Sequence, residues 1–262
     1  MSRTEQDRPS VLQAARHRAR AEVTRQILDA ARRHLATDGA SGLSLRAIAR
    51  ELGVSSSAVY RYVASRDELL TRLMVAAYDA LGVAAENAEA TVARDDLAGR
   101  WAAVCHAVRA WARAHPHEYA LVYGTPVPGY TAVSATVAPA ARVSTVLLGI
   151  LANAAERLEP ATADDGVPPE VRRALAPVQS LLPSKVPDTL VQQGLMAWAA
   201  LFGTVSFELF GQLHHIIGDE PGDRDAYFAE CVRHWTTRLG INPESTRRLA
   251  REPEQALEAV SE

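Results

Sequence analysis

Apolar residues return every three or four positions along almost the whole chain, the period of an α-helix. From Ala21 onward Val23, Ile27, Ala31 and Leu35 recur at i+4, and Asp38-Gly39 closes that stripe. Leu45, Ile48, Ala49 and Leu52 follow the i, i+3, i+4, i+7 pattern of one short helix ended at Gly53. A second short helix is predicted from about Ser56 to Tyr62, with Ser55 placed to accept from its first free amides. Ser65 and Glu68 then have the spacing of a capping box, and Asp67 is favourable beside the positive helix end. The helix so opened carries Leu69, Leu70, Leu73, Met74, Ala77, Tyr78 and Leu81 on one side.

The second half repeats this grammar. Leu97, Trp101, Val104, Cys105, Val108, Trp111 and Ala112 form a stripe that stops before His115-Pro116. A short helix from Pro116 is expected to end at Gly124, because Pro126 and Pro128 block continuation. Val143, Val146, Leu147, Ile150, Leu151, Ala154 and Leu158 mark a longer one. Six of the fourteen prolines fall within residues 160–187, which predicts a linker or lid with at most one short helix near 169–176. After Asp188 comes the most apolar helix, expected to reach about Ile217. Asp223 opens a last long helix bearing Phe228, Cys231, Val232, Trp235 and Leu239, stopped by Gly240. No run shows sustained period-2 alternation, so the fold class is all-α.

Composition narrows the class. At 262 residues the chain holds one or two domains and can bury a full core. With 48% hydrophobic and 23% charged residues, disorder is excluded as the main state. The uncharged, strongly apolar stretch Gly194 to Phe207 falls short of the roughly 20 residues of a membrane span. The first 25 residues carry no apolar core, so no secretory signal is expected, and the expected location is the cytoplasm, without a membrane partner. Two cysteines exclude a disulfide framework and Cys-rich zinc patterns.

The net charge of −3 hides an asymmetry. Residues 1–70 hold twelve Arg against eight acidic residues, a net of +4, and the remainder is acidic. A basic front on an acidic body suits a polyanionic partner.

The informative stretch is LRAIARELGVSSSAVYRYV, from Leu45 to Val63. Two short amphipathic helices joined by a tight turn containing Gly53 read as a helix-turn-helix. Leu45, Ile48, Ala49, Leu52, Val54, Val59 and Val63 supply its packing face. The outer face of the second helix retains Ser55, Ser56, Ser57, Ala58, Tyr60, Arg61 and Tyr62. Small hydroxyls at a helix N-terminus permit close entry into a major groove, and Tyr and Arg can grip backbone and base edges. The pattern alone also fits an ordinary helical hairpin packed in a core.

The run from about Arg20 to Leu70, above all GLSLRAIARELGVSSSAVYRYVASRDELL, resembles the N-terminal domain of the TetR family of bacterial transcriptional regulators. Leu45 stands where that family often has Thr or Val, and Arg66 where Lys is common. The resemblance implies a three-helix helix-turn-helix domain followed by a helical bundle for ligand binding and dimerisation. The expected division is an N-terminal arm at 1–19, a DNA-binding domain at 20–66, an effector-binding and dimerisation domain at 67–240, and a tail at 241–262. It implies that Arg46 reaches double-stranded DNA from the first helix of the motif, with Ser55 opening the second. Ser56, Ser57, Ala58 and Arg61 would face bases, and Tyr60, Tyr62 and Arg66 would hold phosphates. Arg16, Arg18 and Arg20 would form an arm along the DNA or remain a free tail. HPHEYALVYGTPVPGY, from His115 to Tyr130, is similar to a segment of one C-terminal subgroup of the family, common in actinobacteria.

The family's C-terminal helices enclose an effector pocket. The resemblance therefore makes Trp101, Cys105, Val108, Tyr123, Tyr130, Leu147 and Leu151 its candidate lining, and their faces carry few charges, which favours an uncharged or mostly apolar effector. Met196, Ala199, Gly203, Phe207, Phe210 and Gly211, with Phe228, Cys231 and Trp235, offer more apolar surface than one bundle needs. The family pairs these helices across a two-fold axis, implying a homodimer on an inverted-repeat operator and, most simply, a repressor. An activator or effector-independent regulator stays open, as does a helical enzyme or ligand carrier. No H-E-x-x-H, G-x-S-x-G or phosphate loop is present, so no catalytic residue, cofactor or metal is expected. His214 and His215 are adjacent and point about 100° apart on a helix, unsuited to clamping one metal.

Overall fold

The computed structural model describes residues 11–131, 133–157, 166–183, 186–218, 220 and 222–241. Arm residues 1–10, tail residues 242–262 and the stretch 158–165 lie outside the described residues. The described residues form helices and no strand. In chain order these are α1 (Val11–Gly42), α2 (Leu45–Glu51), α3 (Ser56–Tyr60), α4 (Arg66–Ala90), α5 (Leu97–Ala114) and α6 (Pro116–Tyr123). A 3-10 turn at Ser134–Thr136 leads into α7 (Val137–Ala140), followed by α8 (Arg142–Ala155), α9 (Pro169–Gln179), α10 (Asp188–Leu209) and α11 (Asp223–Arg238). They fall into two compact units, Met1–Tyr78 with His117–Val137, and Asp79–Pro116 with Ala138–Glu262.

The first unit is built on one apolar core. Ile27, Ala31 and Leu35 of α1 meet Leu45, Ile48 and Ala49 of α2, Val59 of α3, Val63, and Leu69, Leu70 and Leu73 of α4. Leu121 and Val127 complete it from a distant part of the chain, which is why residues 117–137 belong to this unit. Burying each such large side chain contributes roughly 1.5–3 kcal/mol, enough to fix the two short helices α2 and α3 against α1 and α4. α1 begins ten residues earlier than its apolar stripe, so residues 11–19 are helical rather than an arm. It breaks at Gly39, whose φ of 70° is unfavourable for residues with a side chain, and one more turn runs to Gly42.

The second unit packs α5, α8, α9, α10 and α11. α10 buries Leu190, Val191, Gly194, Ala197, Leu201 and Val205. At Gly194 a Cβ would come within 2.3 Å of the tip of the Leu151 side chain, where α8 and α10 pack together. By length and composition alone α10 is long and apolar enough to cross a membrane, which the stretch Gly194–Phe207 by itself is not. The helix ends at Leu209 rather than near Ile217: Gly211 takes a φ of 84°, and the Leu213 N–H turns back to the Phe207 carbonyl at 3.3 Å.

The buried arginines Arg100 and Arg109 each meet an acidic partner. Arg100 donates to Glu89 at 2.6 Å and to Asn153 at 3.0 Å, and Arg109 makes a two-pronged bond to Glu208 at 2.6 and 2.8 Å. Such pairs set register more than net stability, because desolvation offsets most of the attraction.

Candidate functional site

α2 and α3 meet across a turn at Gly53, whose φ of 66° a side chain would strain. Ser44 accepts the Ala47 N–H at 3.4 Å and Ser55 accepts the Ala58 N–H at 3.3 Å, so a serine caps each helix of the hairpin. The Ser55 and Ser57 hydroxyls lie 3.0 Å apart. α3 is shorter than its sequence pattern predicts. After Tyr60 the chain tightens, with Arg61 and Tyr62 N–H groups donating to the Ala58 and Val59 carbonyls three residues back.

This local geometry sorts the side chains. Arg46, Ser55, Ser57, Tyr60 and Arg61 are exposed, while Ser56, Ala58, Tyr62 and Arg66 are half-buried. Tyr62 packs on the first unit's core beneath the Arg20 guanidinium, which sits 5.2 Å from its ring centre. Arg20 also donates to the Arg61 carbonyl at 3.3 Å. Arg66 donates to the Ala40 carbonyl at 2.8 Å and reaches Ser41 at 3.5 Å, closing the C-terminal end of α1.

The acidic groups of this unit are largely consumed by neighbouring cations. Glu22 and Asp29 hold Arg25, Asp29 also holds Arg32, Glu51 holds Arg33, and Glu68 holds Arg72. Arg16, Arg18, Arg46, Arg50 and Arg61 form no ion pair among the described residues. Their charge is left for a partner, and the excess of arginine in the first 70 residues is concentrated there.

The second unit carries an apolar cavity of about 180 Å³, half open to solvent, between α5, α8, α9 and α10. Trp101, Leu147 and Leu151 line it, joined by Ser144, Leu195 and Trp198 among others, with no charged side chain. On the outside of α10, Met196, Ala199, Gly203, Phe207 and Phe210 form one stripe. Met196 is 58% and Phe207 54% exposed, and a Cβ at Gly203 would meet nothing within 4 Å. That stripe of exposed large apolar groups is more than an isolated soluble helix ordinarily carries.

Residues 27–73 match the family described as "Bacterial regulatory proteins, tetR family", and residues 101–235 match "Tetracyclin repressor-like, C-terminal domain". The chain belongs to the TetR family. It is 38% identical over 208 residues to the HTH-type transcriptional regulators Mb1846 of Mycobacterium bovis and Rv1816 of Mycobacterium tuberculosis, a span covering 79% of this chain and 89% of theirs. Among solved structures it is similar to regulatory protein SCO4313, with a TM-score of 0.68 and 33% identity over 84% of this chain and 97% of that one. A protein of unknown function from Rhodococcus sp. RHA1 gives a TM-score of 0.58 and 26% identity, covering 82% and 93% of the two chains. The chain is thus a TetR-family helix-turn-helix transcriptional regulator, all-α as its periodicity predicts.

In this TetR-family chain the sequence-predicted residues divide. The residues expected to face DNA lie together on α2, α3 and the turn after it, with Arg66 turned onto the end of α1. Of the predicted cavity residues, Trp101, Leu147 and Leu151 are walls of one cavity. Cys105 and Val108 are fully buried in α5, and burial pushes the Cys105 thiol well above its ordinary value. Tyr123 and Tyr130 lie elsewhere, in the first unit. Tyr130 shares a 2.9 Å hydrogen bond with Thr71, and Tyr123 meets Tyr78 edge-on at 5.9 Å. Burial raises the titration of the Tyr78 and Tyr123 hydroxyls, keeping both neutral.

On α11, Phe228 and Trp235 face inward and Cys231 is half-buried. The Arg109 guanidinium lies 4.9 Å from the Phe228 ring centre. Gly211 is half-buried in the turn after α10. Sequence reasoning missed the support that Arg20 gives Arg61, and the walls contributed by α9 and α10. The first spans 41 residues and leaves no local signature. The second depends on which helices become neighbours.

Proposed function

We propose that this regulator is a repressor that binds an inverted-repeat operator as a homodimer and releases it when a small, mostly apolar effector binds. The observation that carries the DNA part is the outward set of Arg46, Ser57, Tyr60 and Arg61 on two helices locked by a common core. α3 enters the major groove, Arg61 and the small residues at its start meet base edges, and Tyr60 with Arg46 takes phosphates. Tyr62 and Arg66 hold the reading helix and the end of α1 in place beside those contacts. Arg16 and Arg18, on the exposed start of α1, lie along the DNA backbone.

The stripe Met196, Ala199, Gly203, Phe207 and Phe210 pairs with its copy across a two-fold axis. Half-sites then stand one or more helical turns apart, about 34–36 Å each. The uncharged cavity receives the effector, which lowers operator affinity by binding better to the conformation that fits DNA less well. The protein acts in the cytoplasm, by binding and without turnover.

Selection of bound sequences from random double-stranded DNA tests this reading. The expected result is a palindrome. Enrichment of a single unrepeated motif overturns the symmetric dimer, and no enrichment overturns sequence-specific binding. Transcription from the recovered operator should rise when the gene is deleted; a fall would make the protein an activator.

A further inference from the structure

Arg20 lies within α1, far from the α2–α3 hairpin in sequence and against it in space. We propose that it is a positioning residue for the reading helix: its guanidinium clamps the C-terminal end of α3 and so fixes the backbone that aims Arg61 at the bases. This inference rests on the reading of α3 as the element that enters DNA. It goes beyond that reading by giving a residue outside the helix-turn-helix a part in sequence preference.

α3 needs such support. It has five residues, and a helix that short gains little from its internal hydrogen bonds. Ser55 caps its start, and Val59 with the following Val63 anchors it in the core. Its end has no left-handed turn to close it. Arg61 keeps a helical φ of −73° and ψ of −17°, so the last carbonyls are left without partners inside the helix. Arg20 donates to one of them, the Arg61 carbonyl, at 3.3 Å. A cation is also the charge that the negative end of a helix favours.

The same guanidinium lies 5.2 Å from the centre of the Tyr62 ring. Tyr62 packs on the first unit's core, so its ring is a fixed platform. The Glu68 carboxyl, held below its ordinary value first by the Ala64 N–H and then by Arg72, also feels the Arg20 charge. Arg20 thereby ties α1, the end of α3 and the start of α4 at one point. The peptide held there is the one that carries Arg61. A side chain leaves its backbone in a fixed direction, so a shift of that peptide re-aims the Arg61 guanidinium. Recognition of a base edge by a guanidinium depends on that aim.

Arg20→Gln tests the clamp, first without DNA. Hydrogen exchange followed by mass spectrometry on the full-length protein should show the amides of residues 60–63 exchanging about two- to fivefold faster, the strength of an exposed cation–π contact, with α2 unchanged. Against DNA, Arg61→Gln is measured on single-base-pair variants of the selected operator and identifies the base pair that Arg61 reads, by losing discrimination there. Arg20→Gln should lose about two- to fivefold of discrimination at that same base pair and keep the parental salt slope. Tyr62→Leu removes the ring, keeps an apolar group and should do likewise. The double variant should lose less than the product of the two single losses, because both act on one clamp. Tyr62→Phe keeps the platform and should behave like the parent.

Unchanged exchange at residues 60–63 in Arg20→Gln overturns the clamp. So does a uniform loss of affinity for every sequence with a salt slope flattened by about 2 per dimer, because Arg20 is then a phosphate contact. A loss in Tyr62→Phe equal to that in Tyr62→Leu also overturns it, since the hydroxyl and not the ring then matters. Faster exchange with parental discrimination in Arg61→Gln sinks the DNA reading of α3, and with it the role in preference, while the clamp itself stands. Lost discrimination in Arg61→Gln with unchanged exchange in Arg20→Gln does the reverse.

Discussion

Tyr60 is 46% exposed while Val59 beside it is 1% exposed, and that contrast over one peptide unit defines the outward face of α3. Removing an outward side chain costs the core nothing, so Tyr60→Ala and Arg61→Ala should keep full helix content. Each should lower affinity for the selected operator by about 1–3 kcal/mol, roughly 5- to 150-fold. Fluorescence anisotropy against labelled operator measures the loss, and parental affinity in both variants would mean another face reads the DNA. Arg66 illustrates the opposite allocation. Its guanidinium is held by the Ala40 and Ser41 carbonyls. Arg66→Gln should therefore lower stability by about 1 kcal/mol and leave the salt dependence of DNA binding close to that of the parent. Arg46→Gln should flatten the salt slope by about 2 per dimer, one phosphate contact per subunit, whereas Arg61→Gln should change the preference between sequences. A flattened slope with unchanged melting in Arg66→Gln would return that residue to the phosphates.

At the scale of an element, α4 shows how a few local atoms start a 25-residue helix. Ser65 accepts the Glu68 N–H at 3.1 Å, and the Glu68 carboxylate accepts the Ala64 N–H at 2.6 Å, one residue earlier than in an ideal capping box. That backbone donor first, and the Arg72 guanidinium with it, holds the Glu68 carboxyl below its ordinary value of 4.5. As pH falls the unfolded chain takes up this proton before the folded one does. The stabilisation is therefore complete above the ordinary value and is lost as pH drops through the lower folded value. Glu68→Gln should lower stability at pH 7 by about 0.5 kcal/mol, a figure reduced for the solvent screening of a partly exposed group. The gap to the parent should begin to narrow in thermal melts below the ordinary value of 4.5 and keep narrowing as the pH falls further. A gap that stays constant across the acid range would assign the effect to packing.

At the scale of the whole molecule, the question is what covers α10. Met196→Glu with Phe207→Glu should convert a dimer into folded monomers, because each charge would be buried unpaired in an apolar interface. Sedimentation measures the change, and a monomeric parent would sink both the dimer and the palindrome. Phe228→Glu is a different experiment. Phe228 is 1% exposed under Arg109 and beside Trp235, so that charge should unfold the second unit instead of separating subunits. Helix periods, serine caps, the Gly53 turn and the α2–α3 pair were all legible in the residue order, because each depends on atoms within a few positions of one another. The residue order also marked Ser55, Ser57, Tyr60 and Arg61 as outward, but it placed Tyr62 on the same face, and the structure packs that ring on the core of the first unit. What only the tertiary structure decided lies farther apart along the chain. Arg20 supports Arg61 across 41 residues, and Tyr130 meets Thr71 across 59. Both contacts depend on which helices pack together. The same holds for the cavity: apolar stripes on α5 and α8 announce buried faces, but an aromatic side chain looks alike in sequence whether it fills a core or walls a space. Trp101 and Tyr123 read identically, and packing sent one to the cavity and the other to the DNA-binding unit.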